Sequence, residues 1–182
     1  MKRAIGAASP NTPILSPEPM RLIVVAVGRA RTAPEQTLCD LQWERATALG
    51  RKLGFTKLDF AIVETSHAGD VLARMEEEAK RLTSRVPAGA RRIALDEAGR
   101  SLSSAAFAKH LAQLRDRGER DLAFLIGGPD GLAPELRENA EERLAFGCQT
   151  WPHLLVRAML AEQIYRAFAI LSGHPYHRGR AN

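Results

Sequence analysis

The chain has 182 residues, 45% apolar and 26% charged, which excludes a low-complexity or disordered chain and sizes it as one globular domain with at most a tail. Its apolar runs are shorter than the ~18 residues a membrane-crossing helix needs, and its two cysteines, Cys39 and Cys148, lie far apart, which excludes a disulfide framework and a cysteine-built zinc site. With no signal-type leader, these features point to a reducing, cytoplasmic setting with no membrane and no metal. The balance of 26 basic against 21 acidic residues, net +5 with a pI near 9.7, favours phosphate-bearing partners.

Residues 1–20 contain Pro10, Pro13, Pro17 and Pro19 and no apolar period, which predicts a disordered N-terminal extension ahead of a single domain over 21–182. The run LIVVAV, Leu22 to Val27, stops at Gly28 and reads as a strand buried on both faces. A helix follows from Pro34, a natural first-turn proline, to Lys52, with Leu38, Leu41, Ala48 and Leu49 as its inward face. Leu58 to Val63 is a second strand. From Asp70 to Arg85 the spacing predicts a helix with Val71, Leu72, Met75, Ala79 and Leu82 inward and the pairs Glu76/Lys80 and Glu77/Arg81 outward. Arg91 to Leu95 gives a third strand, Ser103 or Ser104 caps a helix to Arg117, and Leu122 to Ile126 gives a fourth strand. Strict alternation predicts an α/β fold: a parallel sheet flanked by helices, its ligand loops at the strands' carboxyl ends. Those loops follow Leu95, follow Ile126 and surround Cys148.

Beyond an acidic stretch from Glu135 to Glu142 and a short apolar turn or strand at Leu144 to Trp151, a long helix runs from Pro152 to Leu171. It is apolar almost all the way round, so it is expected to be covered on more than one side, and a two-fold homodimer is the expected cover.

Gly127-Gly128-Pro129-Asp130-Gly131 follows a buried strand directly. It is either a tight turn, since Pro-Asp-Gly supplies a preset φ, a local acceptor and a positive-φ position, or a place where a ligand approaches bare backbone. It is no Walker loop, and the first strand ends in Gly28-Arg29-Ala30-Arg31 without a GxGxxG fingerprint, which argues against a Rossmann or flavodoxin-like nucleotide enzyme. The tail His174-Pro175-Tyr176-His177-Arg178 makes a poor metal site but suits RNA, since Tyr and His stack on splayed bases and Arg reaches phosphates. His153 opens the last helix with Arg157 one turn on, a pair suited to proton handling or phosphate binding or to a plain structural role. Cys148 lacks an adjacent base and reads as packing rather than as a nucleophile.

The segments ALDEAGRSLSSAAFA (94–108), FLIGGPDGLAPELR (124–137) and TWPHLLVRAMLAEQIYRAFAILSGHPYHR (150–178) closely resemble the RlmH family, bacterial methyltransferases of large-subunit ribosomal RNA. The resemblance spans 21–178. It departs at Asp130, where the family more often has Glu, at Trp151, where Leu is frequent, and in the first helix around Gln42-Trp43-Glu44-Arg45. It implies a SPOUT fold, with a parallel sheet and a C-terminal trefoil knot that holds S-adenosyl-L-methionine. The implied cofactor residues are Leu95, Gly127, Gly128 and the loop Phe146, Gly147, Cys148, Gln149, Thr150 and Trp151. The implied substrate is a pseudouridine in the helix 69 loop of 23S rRNA, methylated at N3 in the assembled ribosome. On that reading His153 or His177 takes or relays the N3 proton, Arg157 and Arg178 hold phosphate or developing charge, and Tyr176 packs the base, the site being shared between subunits of a homodimer. A non-catalytic RNA-binding module with the same fold is the competing reading, and cofactor binding separates the two.

Overall fold

The computed structural model describes residues 19–29 and 32–176; the expectations for residues 1–18, His177 and Arg178 lie outside the described residues. Five strands, β1 (Met20–Val27), β2 (Phe55–Val63), β3 (Arg91–Ser101), β4 (Asp121–Ile126) and β5 (Glu142–Ala145), form one all-parallel sheet in the order β2-β1-β4-β3-β5. Between and after them run α1 (Pro34–Gly50), α2 (Val71–Thr83), α3 (Ser104–Asp116), α4 (Pro134–Glu138) and α5 (His153–Ser172), with a 3-10 turn at Arg51–Leu53. The expected α/β class and strand alternation hold.

Alternation along β1 assigns the layers. Leu22, Val24 and Ala26 join one core with residues of α1, α3 and α5, while Ile23, Val25 and Val27 join a second with Leu82 of α2 and Leu136 of α4. Each of these strand residues is buried, as the LIVVAV run requires of a central parallel strand. The chain therefore leaves β1 toward the α1 face and leaves the adjacent β4 toward the α4 face. Neighbouring strands whose connections diverge in this way leave a crevice at their carboxyl ends, where ligands bind in open α/β sheets.

Two helices present faces other than those the apolar spacing indicated. α1 buries Cys39, Gln42, Ala46 and Gly50, and leaves Leu38 and Leu41 46% and 43% exposed. Small residues carry this contact because α1 lies close against α5: a methyl group on Gly50 would come within 2.7 Å of the Phe168 ring. α2 turns Glu78 inward with Leu82 and leaves Val71 and Leu72 at its exposed start; of the expected outward pairs, Arg81 and Glu77 meet at 3.1 Å.

α5 is the central helix of its layer, packed between α1 and α3 and over β4. Its apolar circumference is thus largely used within the chain, so that feature does not itself require a partner subunit. The C-terminal half of the acidic stretch is also committed. Glu142 meets Arg91 at 3.0 Å and His110 at 2.8 Å, and Glu141 accepts from the Arg92 N–H at 2.7 Å, pinning β5 to β3 at the sheet edge. β3 runs past the expected end at Leu95. Leu95 and Arg100 both pair with Leu144, so residues 96–99 are extruded as an excursion. Gly99 closes it where no larger residue fits, since a Cβ there would lie 2.7 Å from the Arg143 carbonyl carbon and from Leu144 N.

Among the described residues no helix is long and apolar enough to cross a membrane, and no group of three or more His, Cys, Asp or Glu could hold a metal ion.

Candidate functional site

A cleft of about 630 Å³ opens at the carboxyl ends of β4, β3 and β5. Three segments wall it: Leu95-Asp96-Glu97, the turn Gly127 to Leu132, and Leu144 to His153 with Cys148 left out of the lining. Met75 of α2, Ile126 of β4, Arg137 of α4 and Val156 of α5 complete it. Of the residues expected to hold a cofactor, Leu95, Gly127, Gly128, Phe146, Gly147, Gln149, Thr150 and Trp151 line this one space. Cys148 is exposed instead of packed.

The glycine turn is tight because its two limbs touch through backbone. A Cβ on Gly127 would lie 2.4 Å from the Gly131 carbonyl carbon, and Gly131 N–H donates to Gly128 O at 3.0 Å. Gly131, at φ +86°, supplies the left-handed position that Pro-Asp-Gly announces. Asp130 is held from outside by the Arg74 Nε at 2.7 Å, a hydrogen bond that keeps its carboxyl below the usual carboxylate range. The opposite rim is cross-linked as well. Thr150 Oγ1 donates to Glu97, Trp151 Nε1 donates to Phe146 O at 3.1 Å, and Arg137 meets Asp96 at 3.2 Å. Asp96, Glu97 and Arg137 were not among the residues expected at the site. The signal for Asp96 and Glu97 in the sequence was the interruption of β3 at Asp-Glu-Ala-Gly, and Arg137 of α4 carried none.

His153 opens α5 at the cleft wall and also faces Gly28 at the end of β1. A side chain at Gly28 would come within 3.2 Å of Thr65 Oγ1 and within 3.5 Å of both His153 Nε2 and Arg157 Nη2. Three polar groups thus converge beside a backbone position that has no Cβ. Burial, and secondarily the Arg157 charge, lowers the His153 pKa from the ordinary histidine value, so its imidazole is neutral at pH 7 with a lone pair available. Arg157 has no exposed surface. Its Nη2 donates to Val27 O, whereas Nε and Nη1 are buried without a hydrogen-bond partner. Burial pulls its pKa down. Cys39 packs beneath it, its Sγ 3.7 Å from Arg157 O, and burial pushes that thiol up to about 11. A buried guanidinium with unspent donors is costly unless something supplies charge or acceptors.

Tyr176 is not part of this group within one chain. Its hydroxyl donates to Glu162 at 3.1 Å, its ring centroid lies 4.5 Å from that of Tyr165, and the Arg166 guanidinium sits 4.9 Å from the ring centre. Glu162 lies nine residues along α5 from His153, roughly 13 Å at the ~1.5 Å helical rise. His153 and Arg157 are together, and Tyr176 is held elsewhere.

One further buried group borders the cleft. Glu78 of α2 is 2% exposed; its Oε1 accepts from Ser66 N–H at 2.9 Å, and its Oε2 has no partner. Apolar periodicity passed over it, because a carboxylate inside an inward stripe counts as an outward residue in that reading.

Comparisons with known proteins identify relatives of the chain. A family model described as predicted SPOUT methyltransferase matches residues 20–177. A protein of Nitrobacter winogradskyi named ribosomal RNA large subunit methyltransferase H is 52% identical over 160 residues, 88% of this chain and 100% of that one. A protein of the same name from Hyphomonas neptunium is 53% identical over 159 residues, 87% of this chain and 99% of its own length. A solved probable methylase family protein from Haemophilus influenzae Rd KW20 is 11% identical, with a TM-score of 0.44 over 90% of this chain and 72% of that chain. From the family match and these two relatives, the chain belongs to the SPOUT methyltransferases, within the ribosomal RNA large subunit methyltransferase H group.

Proposed function

We propose that the protein is an S-adenosyl-L-methionine-dependent methyltransferase of large-subunit ribosomal RNA, acting in the cytoplasm on N3 of a pseudouridine in the helix 69 loop of the assembled ribosome. The observation that carries the reading is the shared position of His153: it lines the glycine-walled cleft and also faces the polar convergence at Gly28. A donor site and an acceptor site meet at one imidazole.

The cleft fits the donor. Gly127 and Gly128 leave a wall without side chains, Leu95, Phe146 and Trp151 offer apolar surface for an adenine ring, and backbone N–H and C=O groups remain to read its edge. When bound, the donor supplies a methyl group activated by a sulfonium. In this reading the segment after β5 threads past the 96–99 excursion as a trefoil knot.

The imide N3 of pseudouridine carries a proton at neutral pH and must lose it before it can attack carbon. His153 Nε2, kept neutral by burial, takes that proton, a contribution of about 10²- to 10⁴-fold. The deprotonated imide spreads its charge onto the ring oxygens. Arg157, buried one helical turn behind His153 with Nε and Nη1 unspent, stabilises that developing negative charge through its own charge in a low-dielectric setting. Thr65 Oγ1 orients the same edge.

Tyr176, with His177 and Arg178 beyond it, grips the RNA from a second subunit. This is supported by its attachment at Glu162, far along α5 from His153, and by the exposed Leu38, Leu41 and Trp151, apolar surface available to a homodimer contact. Mapping the methyl mark on ribosomes incubated with the protein and the donor tests the assignment. A mark at the pseudouridine is expected with wild type, and a loss of at least about 10²-fold in rate with His153→Ala. Unchanged turnover in the double variant His153→Ala, His177→Ala overturns the base assignment, and no mark at all overturns the function.

A further inference from the structure

We infer that Glu78 is a charge-positioning residue for the methyl donor, its buried carboxylate attracting the donor's sulfonium end from behind the Gly128 wall of the cleft. This rests on the donor reading above and extends it to a residue that does not line the cleft.

The geometry is that of a charge set one glycine away from a ligand space. α2 brings Met75 to the cleft wall and, one turn later, Glu78 behind it. A methyl group on Gly128 would lie 2.9 Å from Glu78 Oε2 and 3.0 Å from Val27 Cγ1, so only bare backbone separates the carboxylate from the cleft. Oε1 is used by Ser66 N–H, while Oε2 is buried and unpartnered. The neighbouring arginines of α2 are committed elsewhere: Arg74 to Asp130 and Ala68 O, Arg81 to Glu77 and Glu64 O.

A buried carboxylate with an unspent oxygen is unfavourable in isolation, and a cation held nearby relieves it. The sulfonium is such a cation before transfer and is not one afterwards. When the methyl group moves to the N3 lone pair, the S–CH₃ bond breaks, its electron pair stays on sulfur, and a neutral thioether remains. Glu78 therefore favours the charged donor over the spent product, in the direction that loads the cleft and then empties it.

Calorimetric titration of the full chain with S-adenosylmethionine, S-adenosylhomocysteine and sinefungin tests this, since sinefungin carries an amine cation where the donor carries its sulfonium methyl. Glu78→Gln keeps the acceptor for Ser66 and removes only the charge. It is expected to raise the ratio of the donor's Kd to the thioether's by about tenfold, the effect of one unit charge across roughly 10 Å of protein. Sinefungin should follow the donor, and Glu77→Gln, which removes an exposed charge one residue away, should leave the ratio alone. Equal weakening of all three ligands makes Glu78 a scaffold for the 64–68 segment and overturns the inference, as does an unchanged ratio. If wild type binds none of the three, the donor reading itself falls. Should Glu78→Gln not fold, Glu78→Asp takes its place. Drawing the charge back by one methylene should raise the ratio part-way, and a wild-type ratio overturns the assignment.

Discussion

Replacing Gly127 with alanine forces a methyl group to 2.4 Å from the Gly131 carbonyl carbon, 2.5 Å from its oxygen and 2.7 Å from Leu132 N. Ordinary contact begins at 3.4 Å, so the limbs of the turn must separate by about 1 Å, and because every atom struck is backbone, no rotamer change relieves the clash. Over-packing of this kind costs about 1–3 kcal/mol, and losing the Gly131 N–H bond to Gly128 O adds about 1 kcal/mol. Gly131→Ala is the internal control. Nothing lies within 4 Å of a Cβ there, so the variant bears only the strain of a left-handed alanine, about 1–2 kcal/mol, and leaves the wall of the cleft where it is. Denaturant unfolding and calorimetric donor binding are measured on both variants. We expect Gly127→Ala to weaken binding by at least about thirtyfold, as a displaced wall worth about 2 kcal/mol requires, while Gly131→Ala keeps affinity near wild type. If the two variants match in both affinity and stability, the turn does not shape the site and the reasoning fails.

Arg157→Met should separate stability from activity. Replacing a buried, incompletely bonded cation with an apolar side chain of similar length is expected to change unfolding free energy by less than about 2 kcal/mol, in either direction, while methyl transfer falls at least about 10²-fold; a large loss of stability would make Arg157 a structural pin. His153, with its pKa lowered by burial and by the Arg157 charge, should place the acidic limb of the rate profile below the usual histidine value of about 6.5, and Arg157→Met should move that limb upward. By linkage the unfolded chain binds the His153 proton more readily than the folded one, so stability should decline as pH falls from about 6.5 through the folded value, and His153→Gln should remove that share of the slope. Alkylation read by mass spectrometry should mark Cys148, which is exposed, and spare Cys39, whose buried thiol is pushed up to about 11.

The layered sheet was legible because its causes are local. An unbroken β-branched run ending at Gly28, punctuated helices and a glycine turn after Ile126 each fix their own segment, and strict alternation then leaves few topologies. What failed to show was which side of a helix faces in when small residues make the contact. Leu38 and Leu41 dominate the apolar pattern of α1, yet Cys39, Ala46 and Gly50 form its seam with α5, since only small side chains allow the approach that Gly50 makes to Phe168. Apolar size indicates where burial would release most water, and it is silent on how near two backbones must come.

The site divides along the same line. Its candidate loops followed from the rule that ligands gather at the carboxyl ends of parallel strands, and Gly127 and Phe146 to Trp151, Cys148 apart, line the cleft there, while Leu95 lies within β3 where the 96–99 excursion begins. Its buried charges were only half found, because burial of a charge leaves no trace in hydropathy. Arg157 drew notice through its spacing from His153, whereas Glu78 reads as one more acid in a Glu-Glu-Glu run. The pattern that would have exposed Glu78 is positional. It stands three residues after Met75 and four before Leu82, on the stripe those two residues turn toward the sheet, where a carboxylate needs a partner such as the Ser66 N–H or a ligand charge. Glu78 and Arg157 reach the crevice between β1 and β4 from opposite faces of the sheet, each with a polar atom left over and each beside a glycine. On the proposed function, these two opposite charges, left incomplete where neighbouring strands part company, serve a cationic donor on one side and an anionic acceptor on the other.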